Sequence, residues 1–228
     1  WMTALLLFSS TPAMAQTAQQ PAANSDMPKD MNVLFWSQDV RDQAFQAMEN
    51  LPAVPMHVVK ASDAPKALPA GAPLALDVDA YMADQRHAGL LILVDGKIRL
   101  EKYALGFSAE KRWTSFSVAK SFTSTLVGAA IKDGYIKSLD DDVTRYIPAL
   151  KGSAYEGVSV RQLLTMSSGV RWNEDYQDPS SDVALFNQQA AVAGEDVTVT
   201  YMKKLPRVAE PGTKWNYNTG ETNLIGVL

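Results

Sequence analysis

Hydrophobic and polar positions change period several times along the chain. Residues 90–94 (Leu90-Leu91-Ile92-Leu93-Val94) form a short continuous apolar run, read as a buried strand. Asp95-Gly96 follows as a two-residue turn signal, and residues 97–103 read as a second strand, so this segment predicts a β-hairpin. Upstream, Val40, Ala44, Ala47 and Met48 share one face of a helix expected over 37–50, with Ser37 as its cap. A second helix is expected over 78–87, closed by Gly89, and the proline-punctuated stretch 51–73 between the two helices reads as extended. Downstream, Phe116, Val118, Phe122, Leu126 and Val127 recur at helical spacing, and Gly134 is placed to stop that helix after Lys132-Asp133. Short capped helices are expected over 143–147 (after Asp140), 160–166 (after Ser159) and 198–205, and another over 222–228. The order of helix, hairpin and helical insertion, with no internal repeat, predicts an α+β fold with a mainly antiparallel sheet.

Composition narrows the picture. The chain has 228 residues, 46% of them hydrophobic, which is enough for one large core or two small ones. Its formal net charge of −4 gives no basic face, so nucleic acid is not an expected partner. There are no cysteines, hence no disulfide framework and no thiolate metal site. The two histidines, His57 and His87, are too few for a zinc cluster and read as surface or capping residues; no metal is expected. At the N-terminus, the short apolar core Leu5-Leu6-Leu7-Phe8 precedes the small-x-small sequence Ala13-Met14-Ala15. Residues 1–15 therefore read as a truncated signal peptide, residues 16–31 as a flexible linker, and the protein as periplasmic or secreted. The apolar run is too short to span a bilayer.

The chemistry concentrates at Ser117-Val118-Ala119-Lys120. Residues three apart on a helix share a face, so the Lys120 amine falls within hydrogen-bond reach of the Ser117 oxygen and can take its proton. The position at a helix N-terminus adds unpaired backbone N–H groups, and the Ser117 N–H is expected to form half of an oxyanion hole. A hundred residues further on, Trp215-Asn216-Tyr217-Asn218-Thr219-Gly220 offers a phenol, Tyr217, that can share a proton with an amine. Asp140-Asp141-Asp142 reads as a helix cap rather than a metal site, and Ser167-Ser168-Gly169 as a helix end. The acids Glu174, Asp175, Asp178 and Asp182 read as a solvated loop, the rival being a cleft biased toward amine-bearing substrates.

Three motifs in order carry a resemblance: Ser117-Val118-Ala119-Lys120-Ser121-Phe122, Asp142-Val143-Thr144-Arg145-Tyr146-Ile147-Pro148, and Leu163-Leu164-Thr165-Met166-Ser167-Ser168-Gly169. Together they resemble the class C β-lactamase-like serine hydrolases, which include penicillin-binding proteins and carboxylesterases. The stretch Asn173-Glu174-Asp175-Tyr176-Gln177-Asp178-Pro179 is most similar to the 6-aminohexanoate-dimer hydrolase branch. The resemblance implies a β-lactamase/DD-peptidase-like fold, in which helices flank an antiparallel sheet and a mainly helical subdomain is attached. It makes residues 32–228 the N-terminal portion of a single such domain, with the last strands and the third motif beyond Leu228. It further implies Ser117 as nucleophile, Lys120 as base, Tyr217 as the family's motif tyrosine, Tyr176 as a loop residue over the substrate, and Thr219 where many members carry Asn or Ser. Asn187 falls near where nylon-oligomer hydrolysis favours an acid, so such oligomers are not the expected substrate. The expected activity is cofactor-free hydrolysis of a small ester or amide through an acyl-serine. The alternative is a penicillin-recognising sensor acylated on Ser117 without turnover.

Overall fold

The structure is a computed structural model and describes residues 33–51, 58–60 and 62–228. The expected leader, the linker and His57 lie outside the described residues. The chain divides into two compact units, Trp1–Thr114 and Ser115–Leu228.

In the first unit, α1 (Gln38–Ala44) begins after Ser37, whose extended backbone suits an N-cap although its side chain makes no capping hydrogen bond. The helix ends short of the expected residue 50. Phe45 accounts for this: its carbonyl accepts the Thr114 N–H at 3.0 Å, and its ring meets Trp113 edge-on at 6.0 Å. Trp36, Ala44 and Leu51 form the small core of this unit. α2 (Asp79–Asp84) is also shorter than the spacing predicts, and His87 lies just past it, its ring 4.9 Å from that of Tyr81.

β1 (Gly89–Val94) and β2 (Lys97–Tyr103) form the expected antiparallel hairpin, with Val94 paired to Lys97. Asp95 and Gly96 both take positive φ, 53° and 71°, which a two-residue turn of this hand requires. Among the described residues the sheet has these two strands, and Ala70 adds a single parallel bridge to Ile98. The apolar run predicts a buried strand, but β1 is buried in part only. Leu91 and Leu93 are 49% and 43% exposed, so one face of the strand is open.

The second unit is helical. α3 (Ala119–Lys132) runs from a 3₁₀ turn at Phe116–Val118 and ends at Asp133, with Gly134 at φ 82° in the left-handed position that closes helices. Of the apolar residues expected on its buried face only Val127 is buried, while Phe122 and Leu126 are exposed. The short elements that follow owe their starts to side-chain caps. Asp142, not Asp140, accepts the Thr144 N–H before the 3₁₀ turn Val143–Arg145. Asp140 instead pairs with Arg161. α4 (Val160–Leu164) carries a full capping box between Ser159 and Gln162. α5 (Asp182–Gln188), α6 (Val197–Met202) and α7 (Thr219–Val227) are capped by Ser181, Asp196 and Asn218. α5 was not expected, and α7 begins three positions earlier than expected. The apolar core of this unit includes Val143, Leu150, Tyr155, Val158, Val160, Leu163, Met202 and Leu224, all fully buried. Each such aliphatic side chain contributes roughly 1.5–3 kcal/mol by leaving water. α7 packs against α3, α4, α5 and α6, so the residue just ahead of it is held from several sides.

Candidate active site

Ser117 lies in the 3₁₀ turn that feeds α3, and Lys120 in the first turn of α3. Phe116, directly before the serine, sits at φ 41°, in the left-handed region that costs a non-glycine residue roughly 1–2 kcal/mol. Strain of this kind persists only where surrounding contacts over-determine it. The turn brings the Lys120 Nζ to 3.1 Å from the Ser117 Oγ. Ser108 and Lys111 share the same sequence spacing, but there Ser108 donates to Glu110 and Lys111 caps the Gly106 carbonyl. Spacing alone therefore does not make the pair; the turn ahead of α3 does.

Tyr217 closes the group. Its hydroxyl donates to the Ser117 Oγ at 2.8 Å, and the Lys120 Nζ lies 5.2 Å from the centre of its ring. Two brackets hold the tyrosine in place. The Asn216 N–H donates to the Met166 carbonyl at 2.9 Å, and the Asn218 N–H approaches the Met166 sulfur at 3.4 Å. Partial burial pushes the Tyr217 phenol up. Its hydrogen bonds with Ser117 and Lys120, together with the Lys120 charge, outweigh that effect against the opposing Glu174 charge, and the phenol ends below its ordinary value. One serine oxygen thus faces two groups, an amine and an acidified phenol, both of which donate to it.

Tyr176 and Thr219 meet at Glu174, an acid expected to be solvated in its loop. The Glu174 carboxylate accepts the Tyr176 hydroxyl at 2.9 Å, the Thr219 hydroxyl at 2.5 Å, the Thr219 N–H at 2.8 Å and the Trp172 indole N–H at 2.7 Å. Burial, then the hydrogen bond to Glu174, pushes the Tyr176 phenol up to about 12. Thr219 spends its hydroxyl proton on Glu174, so toward any further partner that oxygen can only accept. The other loop acids are structural as well. Asp182, buried, takes Arg171, the Tyr201 hydroxyl and the Asn173 N–H, while Asp175 and Asp178 close local turns. Asn187, in α5, is exposed.

Behind Tyr217 lies a polar knot with no counterpart in the sequence reading. Glu221 is 1% exposed and accepts the Ser168 hydroxyl; its own N–H goes to the Asn218 side chain at 3.0 Å. Burial drives its carboxyl up to about 8, against the hydrogen bond it accepts from Ser168. The one available signal was the spacing of Asn218 and Glu221, which matches a capping box whose acid here turns to Ser168 instead. Gly169 does not end a helix as expected, since α4 stops at Leu164. It sits at φ 77° where a Cβ would overlap the Ala209 carbonyl. Among the described residues, no group of three or more histidine or carboxylate side chains is arranged to hold a metal.

This geometry coincides with a family assignment: the beta-lactamase profile matches residues 74–228. The chain belongs to the beta-lactamase family. Among curated relatives, a 6-aminohexanoate-dimer hydrolase from Paenarthrobacter ureafaciens is 37% identical over 114 residues, covering 50% of this chain and 29% of that protein. A beta-lactamase from Pseudomonas fluorescens is 33% identical over 101 residues, covering 40% of this chain and 28% of that protein. The matched segment is thus less than a third of either relative's length. A solved structure from Bacillus anthracis, provisionally named a 6-aminohexanoate-dimer hydrolase, superimposes with a TM-score of 0.66 at 18% identity. It covers 88% of this chain and 56% of that chain, and it shows the beta-lactamase-like α+β fold.

Proposed function

We propose that the protein is an exported serine hydrolase that cleaves a small ester or amide through an acyl-Ser117 intermediate. The observation that carries this reading is the single Ser117 oxygen receiving hydrogen bonds from both Lys120 and Tyr217. The pair accepts in its singly deprotonated form, phenolate beside ammonium or phenol beside neutral amine, in which one of these bonds runs from the serine hydroxyl instead. The serine proton passes to the Lys120–Tyr217 pair as the Oγ–carbon bond forms, and the same proton then goes to the leaving alcohol or amine as its bond to carbon breaks. Water, deprotonated by the same pair, releases the acid and restores the serine. The Ser117 N–H, in the turn before α3, supplies one donor to the tetrahedral oxyanion. Tyr176 and Thr219 line the approach. The relatives' names, a 6-aminohexanoate-dimer hydrolase and a beta-lactamase, support an acyl substrate, and an amide at Asn187, where nylon-oligomer hydrolysis favours an acid, supports a substrate other than the 6-aminohexanoate dimer. Export rests on the sequence around Leu5–Phe8 and Ala13-Met14-Ala15.

In the full-length protein, Ser117→Ala abolishes covalent labelling by a fluorophosphonate and turnover of p-nitrophenyl esters. Labelling that survives the change removes Ser117 from the mechanism. A burst of one equivalent followed by no turnover would replace hydrolysis by acylation alone.

A further inference from the structure

Glu174 makes more contacts around the site than any residue assigned a chemical step. A carboxylate offers about four lone-pair directions, and here four donors fill them. That rules out two roles for an acid beside a nucleophile. With no free lone pair it is not placed to accept a proton, and a substrate ammonium would have to displace Tyr176 or Thr219 to reach it. What remains is connection. One donor, the Trp172 indole, is anchored in the core, with its ring 6.2 Å from Phe186 and 6.3 Å from Tyr201. Another, the Thr219 N–H, opens α7 and is one of the groups a helix leaves without an internal partner, where a negative charge is favoured. Tyr217 stands two residues before it.

We propose that Glu174 is a positioning residue of the Ser117 site: its carboxylate ties Trp172, Tyr176 and the start of α7 to one point and so holds Tyr217 against Ser117. This rests on the hydrolase reading above. Its charge matters alongside its reach. The ionisable groups acting on Tyr217 are Lys120 from α3 and Glu174 and Tyr176 from the loop. The Glu174 charge raises the phenol, whereas Ser117 and Lys120 lower it. Glu174 therefore acts with the Met166 brackets in placing the Tyr217 oxygen, and its charge sets how far Lys120 prevails over that phenol.

Glu174→Gln keeps the shape and removes the charge, and its amide group, placed where Oε1 stood, forces the Tyr176 and Thr219 hydroxyls to turn and accept in place of donating. In the full-length protein, kcat for a p-nitrophenyl ester should fall about 10- to 100-fold with KM little changed, the range expected for a displaced proton acceptor. The acid limb of the pH–rate profile should move to lower pH by about half a unit or more, because an opposing charge has gone. Glu174→Asp keeps the charge but shortens the reach, so it should lose rate while leaving the limb in place. Parental kcat and an unmoved limb in Glu174→Gln would overturn the proposal. So would a rate loss that merely tracks a lower folded fraction. A parallel titration needs no activity: the ultraviolet difference between the parent and Tyr217→Phe isolates the Tyr217 phenol, which must titrate at lower pH in the Glu174→Gln background. No shift there overturns the proposal even if the parent proves not to acylate, whereas absent Ser117 labelling with the shift present overturns only the hydrolase reading.

Discussion

At the scale of single residues, the proposed mechanism is a competition for one proton. Ser117 Oγ has two neighbours within hydrogen-bond distance, and they differ in how replaceable they are. Tyr217→Phe removes only a hydroxyl from a half-buried ring and leaves the Met166 brackets in place. It should lower kcat by about 10²- to 10⁴-fold, the usual worth of a general acid–base group, with little change in Tm, as steady-state kinetics and thermal melts will show. Ser117, Lys120 and Tyr217 were legible in the sequence because each is a reactive type in a spaced motif. Glu174 and Glu221 were not. Nothing in the letters separates an acid that gathers four donors, or one that sinks into the core, from an acid in water. That distinction is made by Trp172, Thr219 and Ser168, which are distant in sequence or chemically ordinary.

At the scale of elements, α7 is the critical piece, because it carries Tyr217 at its entrance and packs on four other helices. Gly220 in its first turn has no room for a side chain: a Cβ would lie 2.5 Å from the Met202 sulfur and 3.0 Å from the Trp172 ring. Gly220→Ala should cost about 1–3 kcal/mol by overpacking, since the buried Met202 thioether must move, and should also depress kcat to the extent that the Trp172 ring makes α7 shift. Ser159→Ala offers the contrast. It removes the capping box of α4, costs about 1 kcal/mol, and should leave kcat at the parental value. Urea denaturation beside ester turnover separates the two. The hairpin was readable from the sequence because Asp95-Gly96 fixes its turn and hence its register. α1 overran because its end is decided by Phe45 and Thr114, a tertiary contact. α5 was missed because its cap, Ser181-Asp182, follows a run of loop acids that masks the start signal.

At the scale of the whole molecule, the buried Glu221 makes stability depend on pH. Its carboxyl titrates near 8 in the folded protein and near the ordinary glutamate value of about 4.3 when unfolded. Between those values the folded state binds a proton that the unfolded chain has released. Stability from this group is therefore complete below pH about 4 and is lost as pH rises toward 8. The carboxylates held low by their partners, such as Asp140 with Arg161 and Asp178 with Ser180, titrate below that window and do not obscure it. The Tm of the parent should fall from pH 5 to pH 8, and Glu221→Gln should flatten that slope; an equal slope in both would place the dependence elsewhere. The α+β class was readable from the order of periodic segments. The division into two units was not, since it depends on which distant segments touch.

Met166 grips the backbone on either side of Tyr217, through its carbonyl at one end and its sulfur at the other. A residue pinned at both shoulders keeps its Cα fixed while its ring can still swing about the first side-chain bond. In the proposed reaction, handing a proton from serine to leaving group would then ask for a small rotation of one phenol rather than a rearrangement of the chain.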